Sequence, residues 1–328
     1  MKNLLTDIAG VRVGHADDAA LASGVTAVIF DEPAVAAIDV RGGGPGTREG
    51  ALLDLANTVE RIDAIALAGG SAFGLEAGGG VQAWLAEQGR GFAVRGALIP
   101  IVPGAIMFDL LNGGDKNWGR YPPYRELGYE AAKFAADNFA LGSVGAGLGA
   151  TTVNLKGGIG SASAKTRSGL TVGAIAAANA AGSMTIGDGP HFWAAPFEQD
   201  KEFGGHGWPT KFPPEALKFR SKGNLGENTT LALVATDAKL TKAQAKRLAV
   251  MAQSGLSRAI YPVHTPLDGD LVFAAGMGAK PLPDPVFSLS ELGMLAANVL
   301  ARAIARGVYE ATTLPFNGAL QCWRDRFA

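Results

Sequence analysis

The feature that most constrains the fold is an uninterrupted apolar run at 230–236, which contains β-branched residues and is closed by Asp237. Such a run predicts a buried strand. Asn228 and Thr229 come directly before it, so a hydroxyl stands at the beginning of the predicted strand. An Asn-Thr pair in this place is also typical of an ordinary turn-to-strand transition, because Asn tolerates turn geometry and Thr suits a pleated strand.

Thr229 gains a chemical use if the chain is cut between Asn228 and Thr229. The residue would then carry a hydroxyl nucleophile and a free α-amine that serves as its base, the pairing used by self-processing hydrolases. An α-amine has an unperturbed pKa of about 7.7–8.0, so part of it is unprotonated near neutrality. The sequence therefore supports two interpretations of Thr229, a nucleophile or a turn residue.

Composition limits the classes of protein and partner. The chain has 328 residues, of which 48% are hydrophobic and 18% charged, a profile typical of a compact globular protein. The net charge is −1 and no basic tract occurs, so we expect neither nucleic acid nor a membrane as partner. Cys322 is the single cysteine, which excludes an intrachain disulfide and a cysteine-based zinc site.

Targeting signals are not evident in the sequence. The first residues reach Asp7 without the apolar run of a signal peptide. No uninterrupted apolar stretch approaches the roughly 20 residues of a membrane span. We therefore expect a cytoplasmic protein.

The order of predicted elements indicates one α/β domain over residues 1–328, with no internal repeat and no linker. The predicted strands lie at 25–30, 36–40, 63–68, 98–103, 170–177, 230–236 and 271–275, with 183–186 as a possible continuation of the sheet. Four helices are predicted. The first ends near Glu87, the second spans 124–139, the third begins at Thr241, and the fourth spans 288–312 with Ser288 as its N-cap. Residues 187–227 are rich in Pro, Gly and aromatic residues without a clear period, and so long a connection is usually functional or mobile.

Glycine clusters separate several of these elements. Gly145, Gly147 and Gly149 alternate with single residues, which departs from the dinucleotide-binding G-x-G-x-x-G pattern, and no Walker sequence occurs. The alternatives are tight turns with close packing, or backbone N–H groups that approach a developing oxyanion. Ser71, between Gly70 and Ala72, is a weak candidate nucleophile, for which a turn is the better interpretation. None of the four histidines has the spacing of a zinc hydrolase.

Residues 264–270 form the most suggestive polar cluster. Asp268 and Asp270 lie two residues apart, just before the predicted strand at Leu271, so their side chains would point the same way along an extended chain. Two such carboxylates could hold an α-ammonium and a hydroxyl in register. They could equally form an Asx turn, and such clusters are common in loops.

Four segments in order along the chain resemble one family. They are 67–77, 145–160, 228–230 together with 234–237, and 264–270. These segments are similar to the DmpA-like peptidases, which include L-aminopeptidase/D-esterase-amidases, β-aminopeptidases and nylon-oligomer hydrolases. The resemblance runs over almost the whole chain, and four ordered motifs are far more specific than one.

The resemblance implies a precursor that cleaves itself between Asn228 and Thr229. It implies an α-chain of residues 1–228 and a β-chain of residues 229–328, which remain associated. The implied fold is an αββα sandwich resembling Ntn hydrolases, with the opposite chain direction. Homotetramers are common in the family.

The resemblance also implies roles for individual residues. Thr229 matches the nucleophile, and Asp268 and Asp270 match the pair that orients its amine and hydroxyl. Asn179 matches the side chain that helps the oxyanion hole. Lys156 matches a lysine near the nucleophile, although a slip of the glycine-rich alignment would place Asn154 there instead.

Further candidates surround these residues. Gly147 and Gly149 are candidates for oxyanion or substrate binding. Phe108 stands where the family has an active-site tyrosine, so the role of that hydroxyl is absent or supplied elsewhere.

The implied activity is hydrolysis of small peptides, amides or esters, with neither a metal nor a cofactor. The sequence leaves the substrate open among α-amino-acid amides, D-esters, β-peptides and synthetic oligoamides. Three alternatives remain: an acyltransferase of the ornithine acetyltransferase type, a glycine-rich anion- or nucleotide-binding protein without catalysis, and an uncleaved, degenerate family member.

Overall fold

A computed structural model describes residues 1–222 and 228–328, so the last five residues of the predicted 187–227 connection lie outside the described residues. The strands are β1 (Val11–Asp18), β2 (Ser23–Val40), β3 (Gly46–Arg48), β4 (Arg61–Ala68), β5 (Phe92–Val94), β6 (Ala97–Ile99), β7 (Gly104–Ile106), β8 (Ile159–Lys165), β9 (Thr171–Ala177), β10 (Leu231–Ala238) and β11 (Leu271–Lys280). The helices are α1 (Ala77–Glu87), α2 (Tyr124–Lys133), α3 (Lys242–Ala259), α4 (Pro285–Tyr309) and α5 (Trp323–Phe327).

Nine of the described strands form one mixed sheet in the order β3-β7-β4-β2-β11-β10-β9-β8, with β1 paired to β2. Most neighbours are antiparallel, whereas β10 pairs with β11 in parallel, as does β4 with β7. The parallel pair β10–β11 is connected through α3, the helical crossover that parallel strands require. The short strands β5 and β6 form a separate, exposed hairpin.

The long strand β2 runs through both of the layers into which the sheet divides. Its pairing with β4 shifts register between Ile29 and Ala34. Before the shift, Val25 packs in the core beneath α1 and α2. After it, Val35 and Ala37 pack in a different core, beneath α3 and α4. The two ends of β2 therefore belong to different layers of the molecule.

A third core lies between the two β layers. Along β10 the side chains alternate, with Leu231 and Leu233 facing this inner core and Ala232 and Val234 facing the helices α3 and α4. A strand buried on both faces explains why the run at 230–236 is continuously apolar. Helices cover both outer faces, which confirms the predicted αββα sandwich.

Four predicted elements differ in extent from the observed ones, and the two helices do so for identifiable reasons. The helix from Tyr124 ends at Lys133 because Ala136 leaves the helical path and exchanges two main-chain hydrogen bonds with Val13 of β1. Helix α4 begins at Pro285 instead of Ser288, because Asp284 accepts hydrogen bonds from the first-turn amides. Residues 183–186 make only isolated bridges, and within 98–103 the strand ends at Ile99.

The predicted start of α3 is confirmed. Thr241 Oγ1 accepts the Gln244 amide at 3.2 Å, and Gln244 Oε1 accepts the Thr241 amide at 2.9 Å, which is a capping box. Among the described residues, α4 is the helix long and apolar enough to cross a membrane, and 56% of its most apolar window is buried inside the protein. This burial against β8, β9 and α3 accounts for its apolar composition.

Candidate active site

Thr229 lies in the described structure just before β10, where its side chain is buried against the preceding peptide bond. Its Oγ1 donates to the carbonyl oxygen of Asn228 at 2.5 Å, and the same oxygen accepts the Gly269 amide at 2.9 Å. The amide nitrogen of Thr229 donates to the main-chain oxygen of Asn179 at 2.7 Å. The hydroxyl, the peptide carbonyl and a donor to that carbonyl therefore meet at one point.

The register of the sheet explains this convergence. Leu231 of β10 stands opposite Leu271 of β11 in a parallel pair, so the residues that precede the two strands lie side by side. Leu231 also pairs with Ala177, the last residue of the antiparallel β9, which leads into Asn179. Leu271 likewise pairs with Val40 at the end of β2. The site is thus assembled at one edge of the sheet from four chain segments.

The glycines after β2 allow the 264–270 loop to approach. The amide of Gly44 donates to Asp268 O at 2.8 Å, and that of Gly42 donates to Asp270 O at 3.0 Å. A Cβ at Gly42 would come within 2.3 Å of the Asp270 nitrogen. Close approach of two main chains is what requires glycine at position 42.

Asp270 fixes the main chain next to Thr229. Its carboxyl group is fully buried, and Oδ1 accepts the Thr230 amide at 2.8 Å. Oδ2 accepts both the amide and the ring Nδ1 of His264, at 3.1 and 3.0 Å. A buried carboxylate with three donors is well stabilised.

Asp268 joins two loops of the site. Its Oδ1 accepts the Ala181 amide at 2.9 Å, and its Oδ2 accepts the amide and hydroxyl of Thr265 at 3.0 and 2.6 Å. Burial raises the pKa of Asp268, and the nearby charge of Asp270 raises that pKa further. Among the described hydrogen bonds, neither carboxylate reaches Thr229 itself; both hold main-chain groups around it.

Asn179 is fully buried, and its amide has a fixed orientation. Oδ1 accepts the Thr151 amide and the Lys222 ammonium, both at 3.0 Å. Nδ2 donates to the carbonyl oxygen of Phe108 at 3.1 Å. Because the Thr151 amide and the Lys222 ammonium both donate to Oδ1, the side-chain nitrogen Nδ2 must point the other way, toward Phe108.

A cavity of about 120 Å³ lies beside Asn179. It is lined by Phe108, Asp109, Leu111, Asn112, Thr151 and Lys222. Sequence reasoning missed Lys222, because a single lysine in the aperiodic segment before Asn228 belongs to no motif. Its Nζ also donates to both oxygen atoms of Thr151, at 2.9 Å each.

The side chain of Lys156 hydrogen bonds to main-chain carbonyl groups of the glycine-rich segment. Its buried Nζ donates to the carbonyl oxygens of Gly147, Ala150 and Gly157 at 3.0, 2.8 and 2.6 Å. Burial lowers the pKa of Lys156 to about 7. The alternative residue, Asn154, hydrogen bonds to Thr185 and to the Gly187 carbonyl. These contacts bind loops together, and a catalytic role for Lys156 stays a prediction.

Gly147 and Gly149 are both tightly packed. The Gly147 amide donates to Val144 O at 2.8 Å, so this N–H is used within the loop. At Gly149 an added Cβ would come within 2.3 Å of the buried Asp109 carboxyl group. These contacts favour close packing as the reason for the glycines, and their role in oxyanion or substrate binding stays a prediction.

The model of peptidase family S58 matches residues 3–320. The chain belongs to peptidase family S58. This is the DmpA family, so the resemblance predicted from the four sequence segments is confirmed.

Two relatives extend this finding. An uncharacterised aminopeptidase of Mycobacterium tuberculosis is 42% identical to this S58 chain over 346 residues, covering 99% of the chain and 98% of the relative. A 6-aminohexanoate-oligomer endohydrolase of Kocuria sp. is 28% identical over 310 residues, covering 92% of the chain and 81% of the relative. The S58 chain is accordingly an amide-bond hydrolase of the aminopeptidase type.

Solved structures agree on the fold. A β-aminopeptidase of Burkholderia sp. superposes with a TM-score of 0.74 at 22% identity, covering 99% of this chain and 93% of the other. The L-aminopeptidase D-Ala-esterase/amidase of Ochrobactrum anthropi gives 0.72 at 20% identity, covering 99% and 92%, and is described as a variant of the Ntn hydrolase fold. The predicted Ntn-like architecture of the S58 chain is therefore confirmed.

No group of three histidine, cysteine, aspartate or glutamate side chains converges as metal ligands would within 1–222 and 228–328. The polar groups that meet at Thr229 are the carbonyl of Asn228, the Gly269 amide that donates to this carbonyl, and the main-chain oxygen of Asn179. Such an arrangement is suited to stabilising an oxyanion beside a hydroxyl nucleophile.

Proposed function

We propose that the chain is a self-processing amide hydrolase in which Thr229 becomes an N-terminal nucleophile. The observation that carries the proposal is the contact around the Asn228 carbonyl. Its oxygen lies 2.5 Å from the Thr229 hydroxyl oxygen and accepts the Gly269 amide at 2.9 Å. A nucleophile, an electrophile and an oxyanion donor are the parts that acyl transfer needs.

Self-cleavage would begin when Thr229 Oγ1 attacks the carbonyl carbon of Asn228. Negative charge would then develop on the oxygen that the Gly269 amide already contacts. As the C–N bond breaks, the hydroxyl proton passes to the Thr229 nitrogen, which leaves an ester between Asn228 and the threonine oxygen. Water hydrolyses this ester, giving a carboxylate at Asn228 and a free α-amine at Thr229.

Turnover would use the same groups on an external amide or ester. The Thr229 nitrogen already donates to the Asn179 carbonyl oxygen at 2.7 Å, so the amine released by cleavage would lie next to that oxygen. The amine takes the hydroxyl proton during attack and returns it to the leaving group, and water then cleaves the acyl-enzyme.

Two donors are placed to stabilise the oxyanion during turnover. One is the Gly269 amide, whose acceptor on Asn228 departs after cleavage. The other is Asn179 Nδ2, which carries two hydrogens and uses one on Phe108 O. Removal of one such donor typically slows a reaction about 10²–10³-fold.

The substrates that fit this proposal are small peptides, amino-acid amides and short oligoamides. The cavity of about 120 Å³ beside Asn179 accommodates a small group, and Phe108 gives it an apolar wall without a hydroxyl. The relatives with related chemistry are named as aminopeptidases and as an oligoamide hydrolase. We also propose that the protein is a homotetramer and that it is located in the cytoplasm.

The experiment is the intact mass of purified protein together with hydrolysis of an aminoacyl p-nitroanilide. We expect wild type to give two chains whose masses sum to that of the precursor plus one water, with Thr229 as the new N-terminus. Thr229→Ala should stay one chain and be inactive, since it lacks the attacking oxygen. Thr229→Ser is the matched control, and it should still be cleaved. Normal cleavage of Thr229→Ala at this bond would refute the proposal.

A further inference from the structure

His264 holds Asp270 at two points, although neither the sequence motifs nor the proposed reaction gives this histidine a task. The main-chain N–H and the ring Nδ1 of His264 both donate to Asp270 Oδ2, at 3.1 and 3.0 Å. The carboxyl group is fully buried, whereas 20% of the histidine side chain is exposed. Because an ionised carboxylate only accepts hydrogen bonds, the ring nitrogen that faces it is Nδ1–H.

The backbone of His264 is unusual in a way that serves this contact. Its φ is +56°, in the left-handed region that few residues other than glycine adopt. This conformation brings the amide and the ring of one residue onto the same oxygen. Strain of this kind persists where the surroundings fix it, and it concentrates at functional sites.

The contact continues to the nucleophile. The other oxygen of Asp270 accepts the Thr230 amide at 2.8 Å, and Thr230 directly follows Thr229. The carboxylate thus links the His264 ring to the main chain that carries the attacking hydroxyl. A shift of the carboxylate would release the Thr230 amide.

The other charged side chains that the structure describes near Asp270 make no hydrogen bond to its carboxylate. Asp268, in the same loop, adds like charge and gains no bond to Asp270. Arg41 contributes only its main-chain amide, to Asp270 O at 2.9 Å, while its guanidinium pairs with Asp39 at 2.6 Å. Among the described side chains, the His264 ring is therefore the one that hydrogen bonds to the Asp270 carboxylate.

We propose that His264 is a positioning residue of the active site, which holds Asp270 so that Thr230 and the Thr229 hydroxyl stay aligned with the carbonyl under attack. The inference rests on the proposed function. Because His264 acts on the nucleophile and has no contact with the substrate cavity, its loss lowers kcat and the rate of self-cleavage and leaves KM nearly unchanged.

The test compares His264→Gly with His264→Asn. Both residues adopt a positive φ readily and both are uncharged, but only Asn offers a side-chain N–H to the carboxylate. We expect the Gly variant to cleave itself and to turn over about tenfold more slowly or worse, the effect of losing one charge-assisted hydrogen bond. The Asn variant should recover most of both rates.

Cleavage is followed by intact mass after synthesis, and kcat and KM are followed with an aminoacyl p-nitroanilide. Wild-type rates in His264→Gly would overturn the proposal. Equal slowing in His264→Asn would overturn it as well, because the donor would then not be the active feature. If the Gly chain does not fold, His264→Ala takes its place in the same comparison.

The wild-type mass separates this test from that of the proposed function. An uncut wild-type chain refutes the nucleophile at Thr229, whatever the His264 variants do. A cut wild type with unchanged rates in His264→Gly refutes only the role of His264.

Discussion

Gly269 offers a sharp test of the site geometry, because a single methyl group placed there would meet the Thr229 hydroxyl. A Cβ at Gly269 would lie 2.6 Å from Thr229 Oγ1 and 2.7 Å from Gly44 O. Real Cβ atoms essentially never lie within 3.0 Å of another heavy atom, and ordinary contacts begin at 3.4 Å. The φ of Gly269 is not in the left-handed region, so Gly269→Ala acts through these contacts and not through backbone strain.

The size of the effect follows from the displacement. To relieve both clashes, the Thr229 hydroxyl has to retreat by about 0.4 to 0.8 Å and the Gly44 carbonyl oxygen by about 0.3 to 0.7 Å. A misplacement of about 1 Å of a reacting group costs on the order of 10²-fold in rate, because attack needs a near-ideal approach to the carbonyl. We therefore expect Gly269→Ala to slow self-cleavage at the Asn228–Thr229 bond about a hundredfold.

The assay is the fraction of cut chain against time after rapid purification, measured by intact mass. Gly44→Ala is the matched control, since it adds the same methyl group to the facing loop, where the Cβ would lie 3.8 Å from Asp268 O, an ordinary contact. It should be cleaved at the wild-type rate, and the thermal unfolding midpoints of both variants verify that they fold. Cleavage of Gly269→Ala as fast as the control would refute the placement of Thr229 Oγ1 against Gly269.

Two lysine substitutions test other parts of the site. Lys222→Met removes the 3.0 Å hydrogen bond to Asn179 Oδ1, and we expect kcat to fall about tenfold. The control is Lys218→Met, at an exposed lysine, which should keep the wild-type kcat. An unchanged kcat in Lys222→Met would contradict a role of Lys222 in holding Asn179. The pKa of Lys156 is lowered by burial from 10.5 to about 7, so between these values the unfolded chain binds more protons and stability rises with pH. The free energy of unfolding of wild type minus that of Lys156→Met should therefore rise by about 2 kcal/mol between pH 7 and 9, with a slope that approaches about 1.4 kcal/mol per pH unit toward pH 9, measured by urea denaturation. A difference independent of pH would show that the buried ammonium does not titrate in that range.

Much of the fold could be predicted because burial leaves a pattern of apolar residues in the sequence. The run at 230–236 became β10, and the Thr241–Gln244 pair became the capping box of α3. The boundaries that failed depend on distant partners. Nothing within residues 124–139 indicates that Ala136 will bridge Val13, more than a hundred residues earlier in the chain.

The candidate site was predicted in its types of residue more than in its contacts. The resemblance to the DmpA-like peptidases indicated Thr229 and the two aspartates together, whereas each motif taken alone left a turn interpretation open. The contacts of the carboxylates with the Thr230, Ala181 and Thr265 amides depend on the register between strands, which the sequence does not encode locally. Gly269, His264 and Lys222 contribute through a main-chain amide, a ring nitrogen and an ammonium, whose partners appear only in three dimensions.

The position of the site at this edge of the sheet follows from the proposed chemistry. A threonine that uses its own α-amine must be the first residue of a chain, and Thr229 lies just before β10, so the groups that assist it come from the segments that reach the same edge. The parallel pairing of β10 with β11 brings the 268–270 residues there, and the antiparallel β9 brings Asn179. The proposed cleavage before Thr229 would leave the ladders between β10 and both neighbours intact, because they begin at Leu231. A peptide bond can therefore be broken at the centre of the site without loss of the sheet that positions it.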